Sequence, residues 1–221
     1  MTDTFYVHII ESPSPKELLE GITEGRALCS FLDIARIPYS YYLAVDPEQF
    51  RIAMTTRIEE DSLRFNLPPI LHFSMHGSEG GIQLTNQRES KQEIPWAELA
   101  VYIRPIHQIF GDIGVCMSCC EGANGFRMAQ VIKTEDVPFA WIIGSFTEID
   151  LRDAALAFAV FYRRFHCGNT DLDSLLEAMQ SASNVTDFNL WFGNLTQQQY
   201  SQESLGNFLK APKYKIAKYT L

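Results

Sequence analysis

The sequence predicts an α/β protein with a mostly parallel central sheet and helices on both of its faces. Two observations carry this. Short apolar runs rich in β-branched and aromatic residues alternate with stretches of helical spacing almost throughout the chain. Two of the runs, Leu71-His72-Phe73-Ser74-Met75-His76-Gly77 and Ile113-Gly114-Val115-Cys116-Met117-Ser118-Cys119-Cys120, climb through apolar residues and stop at a polar or thiol residue close to a glycine. A buried strand has this form where it delivers a side chain to the carboxyl edge of a sheet.

In order along the chain, residues 5–10 (FYVHII) read as a central strand. Residues 11–15 (ESPSP) are a loop. Residues 15–34 have helical spacing, with Ser14 as N-cap and Pro15 at the first helical position. Residues 40–46 are the second strand. Asp46 introduces a helix over 47–57, and residues 67–75 are the third strand. Gly77-Ser-Glu-Gly-Gly is a loop, and residues 81–86 form a short strand entering a hairpin. A helix begins at Pro95, the fourth main strand runs over 113–119, and a short helix spans 124–131. Residues 138–144 (PFAWIIG) make the fifth strand. Asp150 or Asp153 opens an amphipathic helix through about Phe165, followed by another over 171–183. Beyond Asn184 the pattern weakens: 187–192 reads as an edge strand and 197–209 as a polar helix. The expected division is one domain over 1–183, with an extension over 184–221 packed on it.

Of the 221 residues 46% are hydrophobic and 20% charged, so a sizeable core is available. A net charge of −9 leaves no basic surplus to neutralise phosphates, which argues against nucleic acid and anionic membrane as partners. The one basic cluster, residues 210–218 (KAPKYKIAK), reads as a solvated or edge-strand segment. The first residues lack the basic-then-apolar form of a signal peptide, and no apolar run is long enough to span a bilayer, so the expected location is the cytoplasm. Five cysteines, three of them within residues 116–120, do not make a secreted disulfide framework.

A cysteine and a histidine at the ends of two strands are a candidate nucleophile and base. His76 takes or shares the thiol proton of Cys120 and later protonates the leaving amine. The backbone N–H groups of Gly77 and Cys120 are the expected oxyanion donors, since glycine lets the backbone approach closely. Cys119 is the competing nucleophile. His72, inside its strand, reads as a core or supporting histidine. Cys29, Cys116 and Cys167 read as inert small hydrophobes, and His8, His107 and His166 have no motif. Cys116-x-x-Cys119 lacks a second Cys/His pair at zinc-ligand spacing, and the loop at Gly77 lacks the Lys-Ser/Thr of a phosphate loop.

These motifs, taken in order, resemble the caspase-like (clan CD) cysteine peptidases, specifically the bacterial caspase-like proteins and the CHAT branch. His76-Gly77 ends one strand; Ser118-Cys119-Cys120-Glu121 ends the next; GIQL and a PWAEL helix start lie between. The stretch WIIGSFTEIDLRDAALAFAVFYRRFHCGNTDLDSLLEAM also looks like that branch, and the likeness covers roughly residues 5–183. His76 precedes Cys120 by 44 positions, where caspases place the histidine about 50 residues upstream. Ser118 and Cys119 replace the Gln-Ala of the caspase signature, so a preference for aspartate does not carry over. The resemblance implies a caspase-like three-layer sandwich and a His/Cys dyad acting without metal or organic cofactor. It also implies a protein or peptide substrate, and a regulated processing role in bacterial signalling, defence or cell death with an activating partner or oligomer. In such enzymes the loops after the first and fifth strands line the pocket for the residue before the scissile bond. Here they carry Glu11, Glu148 and Asp150, acidic walls that suit lysine or arginine, although Asp150 equally suits a helix cap. The alternatives are a catalytically silent module that binds a protein partner through the same cleft, and a ligase or transpeptidase using the same dyad.

Overall fold

All seven residues of β1 (Tyr6–Ser12) are buried, as a continuous apolar run requires of a parallel strand covered on both faces. The computed structural model describes residues 4–85, 92–131 and 137–196. Within them β1 pairs in parallel with β2 (Tyr39–Leu43) on one side and β3 (Pro69–Ser78) on the other. A short hairpin, β4 (Gly81–Leu84) with β5 (Gln92–Pro95), folds back on the end of β3. β3 pairs in parallel with β6 (Gly114–Ser118), and β6 with β7 (Trp141–Ser145). β8 (Phe188–Phe192) closes the row antiparallel to β7, giving the order β2-β1-β3-β6-β7-β8. The expected edge strand over 187–192 is therefore part of the main sheet, although it belongs to the expected extension.

The strand period of two sends alternate side chains into two separate cores. On one face α2 (Glu24–Ala35), α7 (Leu151–His166) and α8 (Leu172–Ala182) set Leu28, Leu32, Phe158, Phe161 and Met179 against Val7, Ile9, Ile70, Cys116 and Ile143. On the other face lie α3 (Pro47–Ile52), a π-helical turn over Ala53–Arg57, α4 (Ile58–Phe65) and α5 (Trp96–Phe110). Their Phe50, Met54, Leu99 and Ile103 pack on Ile10, Leu71, Phe73, Val115 and Met117. Each such side chain stabilises the fold by about 1.5–3 kcal/mol through burial alone. The result is a three-layer α/β arrangement with a mostly parallel sheet, as the alternation of elements predicts.

Three elements differ from expectation. The helix over 15–34 is two helices, α1 (Pro15–Glu20) and α2, separated at Gly21, whose φ of +67° is the left-handed end of α1. Ser14 does cap α1, in a reciprocal capping box with Glu17. The helix over 47–57 continues to Phe65 because Ile58 and Asp61 are still buried. β3 runs on through Gly77 to Ser78 because β4 returns against it, so the expected loop is only a two-residue turn at Glu79 and Gly80. Residues 197–221, which include the polar helix and basic cluster read from sequence, lie outside the described residues. No helix among the described residues is long and apolar enough to cross a membrane.

Gly114 marks how tightly the layers close. A Cβ there would lie 1.9 Å from the Trp141 ring. Gly114→Ala is expected to destabilise the fold by about 1–3 kcal/mol through overpacking, read as a lower urea midpoint with an unchanged slope.

Candidate active site

Strand order places the site before any side chain is considered. From β1 the chain steps to β2 on one side, then back across β1 to β3, and onward to β6 and β7. The carboxyl ends of β1 and β3 thus flank the point where the direction of winding reverses, the crevice in which open α/β sheets hold ligands. Register then aligns three polar residues across the central strands: Glu11 pairs with Ser74, and Ser74 with Ser118. Two residues further on come His76, still within β3, and Cys120, in the turn that follows β6.

A cavity of about 170 Å³ opens here, lined by Glu11, Thr23, Glu24, Ser118, His76 and Cys120 among others. His76 and Cys120 are both half-buried, reachable from solvent and from the cavity. Cys119 points the other way. It is buried in the core beneath α5, packed between Gly77 and Gly122. Burial, reinforced by the charges of Cys120 and Glu24, pushes its thiol well above the ordinary range. A thiol held protonated is a poor nucleophile: Cys119 borders the cavity as Cys120 does, but it is 3% exposed and packed in the core, whereas Cys120 is half-buried. Cys116 lies deeper on the cavity's side of the sheet, where burial pushes its thiol up to about 12. Cys29 is half-buried, and burial likewise pushes it up to about 12. Cys167 is exposed at the end of α7, so its reading as a buried hydrophobe is corrected.

The turn after Cys120 is held by the backbone. Glu121 donates its N–H to the Thr147 carbonyl and Gly122 to the Cys119 carbonyl, while Asn124 Nδ2 and N–H both return to the Glu121 carbonyl. Glu121 sits at φ +56°, the left-handed region, at a cost of order 1 kcal/mol for a residue with a side chain. Among the described residues the Cys120 N–H donates to no backbone carbonyl in this turn, which leaves it available as an anion donor. Gly77 is pressed against the same turn: a Cβ there would lie 2.3 Å from the Cys120 carbonyl oxygen. Because that neighbour is backbone, Gly77→Ala must displace the Cys120 turn. The expected result is a folded protein in which iodoacetamide alkylates Cys120 at a changed rate, since the turn that holds the thiol has moved.

Two buried carboxylates lie on the cavity's walls. Glu11, 1% exposed, accepts from the Gly25 N–H (2.6 Å), the Tyr41 hydroxyl (2.7 Å) and the Ser74 hydroxyl (3.3 Å). It serves α2 as the cap that Thr23 does not provide. Glu24 meets His72 Nε2 at 3.2 Å, and His72 Nδ1 meets the Tyr162 hydroxyl at 2.8 Å. The Tyr162 hydroxyl and the Glu24 carboxylate hold the imidazole at both of its nitrogens. His72 is thus a buried supporting residue, as read from its place inside the strand. Burial, with Cys116 and Glu24 beside it, raises the Tyr162 phenol well above its ordinary value.

The structure brings Glu11, His76, Gly77 and Cys120 together. It does not bring Glu148 or Asp150 to the cavity, whose wall from that segment is Ile149 and Leu151. Asp150 caps α7 through the Arg152 N–H and holds the Arg152 guanidinium at 2.7 and 2.8 Å. Those hydrogen bonds keep its carboxyl down at about 2. Asp150 is therefore the helix cap that the sequence also allowed. Glu24 and Thr23 were missed, because nothing in a helix start distinguishes a residue that turns back under the sheet edge. Ser74 and Ser118 carried a signal: each is a lone hydroxyl in an apolar strand, at matching positions ahead of His76 and Cys120. No protein-family model matches this chain, and no curated protein sequence matches it either.

Proposed function

We propose that the protein is a cysteine endopeptidase of the caspase-like kind, with Cys120 as nucleophile and His76 as base and then acid. The observation that carries this reading is the placement of His76 and Cys120 on one cavity, at the ends of adjacent parallel strands, with Cys119 turned into the opposite core. His76 takes the Cys120 proton, and the thiolate attacks the scissile carbonyl carbon, forming a C–S bond. The resulting oxyanion is held by the N–H groups of Cys120 and Gly77. The C–N bond breaks as His76 returns the proton to the leaving amine. Water, deprotonated by His76, then cleaves the thioester and regenerates the thiol. The mostly parallel three-layer sheet and the order of the motifs support the caspase-like assignment, and with it a cytoplasmic, regulated processing role in bacterial signalling, defence or cell death.

A panel of internally quenched peptides tests the reading. Turnover that iodoacetamide abolishes, and that Cys120→Ala lacks, is expected. Turnover that persists in Cys120→Ala at the wild-type rate would sink it.

A further inference from the structure

β2 stands at one end of the sheet and pairs with β1 alone. The Val7 N–H donates to the Pro38 carbonyl and the Ala44 N–H to the Glu11 carbonyl. By the strand period, Pro38, Ser40, Tyr42 and Ala44 therefore turn their backbone groups toward β1, and Tyr39, Tyr41 and Leu43 turn theirs outward. Among the described residues no backbone bond outside the ladders involves any of these outward groups. Natural edge strands are blunted by lysine, proline or a bulge, and β2 (Tyr-Ser-Tyr-Tyr-Leu) carries none of them. An open groove of about 480 Å³ follows this edge, lined by Asp33, Ile37, Tyr39, Tyr41, Arg64 and Phe65 among others. Ile34, next to Asp33 in α2, is 83% exposed. Charge is ordered along the same edge. Tyr39 and Tyr41 both pack on the core beneath α2. The Tyr39 hydroxyl donates to Asp33 (3.0 Å), and Arg26 stands beside the Tyr41 hydroxyl. Asp33 and Arg26 are exposed, opposite in charge and about two turns apart on one side of α2.

We propose that a second copy of this chain docks on this edge, β2 against β2 in antiparallel pairing about a two-fold axis at Ser40. Tyr39 then lies opposite Tyr41 of the partner subunit, and Tyr41 opposite the partner's Tyr39, each pair exchanging both of its N–H···O bonds. Ser40, the smallest residue of β2, falls at the axis, where facing Cα atoms approach to about 4.5 Å. The same operation runs α2 against α2 on one face of the joined sheet. It sets Asp33 level with the partner's Arg26, and Arg26 level with the partner's Asp33. The charge order is thus complementary to itself, as a two-fold interface requires. On the other face Arg57 is paired with Glu60, and Arg64 lies over the Phe65 ring. An extended peptide would use the backbone edge equally well, but the matched charges on α2 and the small residue at the axis fit a second copy. The inference does not rest on the peptidase reading. The Tyr41 hydroxyl donates to Glu11 at 2.7 Å, so the interface lies one hydrogen bond from the cavity.

Sedimentation equilibrium of the full chain over a concentration series tests this without any variant. A monomer–dimer equilibrium is expected, weakened by added salt. Arg26→Glu and Asp33→Arg are each expected to raise the dissociation constant about 10-fold or more, since each turns both exposed pairs of the dimer from attraction to repulsion. Mixed in equal amounts, the two variants are expected to form a heterodimer as tight as the wild-type dimer, because every facing pair is again opposite in charge. Both residues are exposed on a helix, so each variant is expected to keep the wild-type urea midpoint. A protein that stays monomeric through the series overturns the proposal. A dimer whose constant neither variant moves overturns it, as does a mixture that associates no better than the separate variants. A dimer lost only when residues 197–221 are removed assigns the contact to that segment and overturns it too.

Discussion

Cys120→Ala is expected to abolish peptide turnover, and His76→Ala to lower kcat/KM by about 10²–10⁴-fold. The two residues act as one unit, so the double variant should be no slower than Cys120→Ala alone. Neither side chain is a large part of a core: both are half-buried at the mouth of the cavity. Both variants should therefore unfold at the wild-type urea midpoint, which separates loss of chemistry from loss of fold. Additive effects of the two substitutions would mean that His76 and Cys120 do not share a proton. By contrast Cys119→Ala removes a thiol from the opposite core, and its cost should appear in stability, by about the amount of a small cavity, rather than in the chemistry.

Asp61→Ala is expected to lower stability by ~3 kcal/mol, the sum of about 1–3 kcal/mol for each polar group left stranded. On the face of the sheet away from the cavity, His8 Nε2–H donates to the Ala53 carbonyl in the π-helical turn (3.1 Å). Its Nδ1 faces Ser40 Oγ (3.0 Å) and Asp61 Oδ2 (3.3 Å). The Tyr42 hydroxyl also donates to Asp61, at 2.8 Å. His8 is fully buried and Asp61 nearly so. Removing the carboxylate orphans the imidazole and the phenol together. For a urea slope of about 2 kcal/mol/M, the midpoint falls by about 1.5 M. Burial alone would raise the Asp61 carboxyl, but hydrogen bonds from His8, Ser40 and Tyr42 outweigh it and hold the carboxyl below its ordinary value. A carboxyl lowered by folding contributes stability above its unfolded pKa of about 3.9, and that contribution is lost as pH falls through the folded value. Asp61→Asn should flatten this acid limb, and a wild-type acid limb in the variant would contradict the assignment.

The fold was largely legible because its strands are buried on both faces and punctuated by turn residues: FYVHII, ILHFSM and GVCMS could hardly be anything else in a chain that alternates with amphipathic helices. Sequence failed where tertiary contacts overrode local pattern. Gly21 split one helical stretch because a left-handed end was needed before α2 could turn its first residues toward Glu11. The helix after Asp46 outran its expected end because Ile58 joins the core and Asp61 has partners in β1 and β2, His8 and Tyr42. At the site, His76, Gly77 and Cys120 were readable because strand ends leave a polar-then-glycine mark. The acidic wall was only half readable. Glu11 follows directly from its place at the end of β1, whereas Glu24 enters through the packing of a helix N-terminus against β3. Asp150 was plausible on position alone and went to helix capping, a role that needs only Arg152 beside it, and Glu148 does not line the cavity.

Cys120, and not Cys119, is the expected nucleophile, because the chain leaving β6 packs Cys119 into the core and leaves Cys120 half-buried at the cavity. Wild-type protein treated with a peptidyl electrophile and digested for mass spectrometry tests it directly. The expected result is one adduct per chain, located on Cys120, greatly slowed in His76→Ala and lost in Cys120→Ala. An adduct on Cys119 in the folded protein, or labelling of Cys120 at the same rate with and without His76, would contradict it.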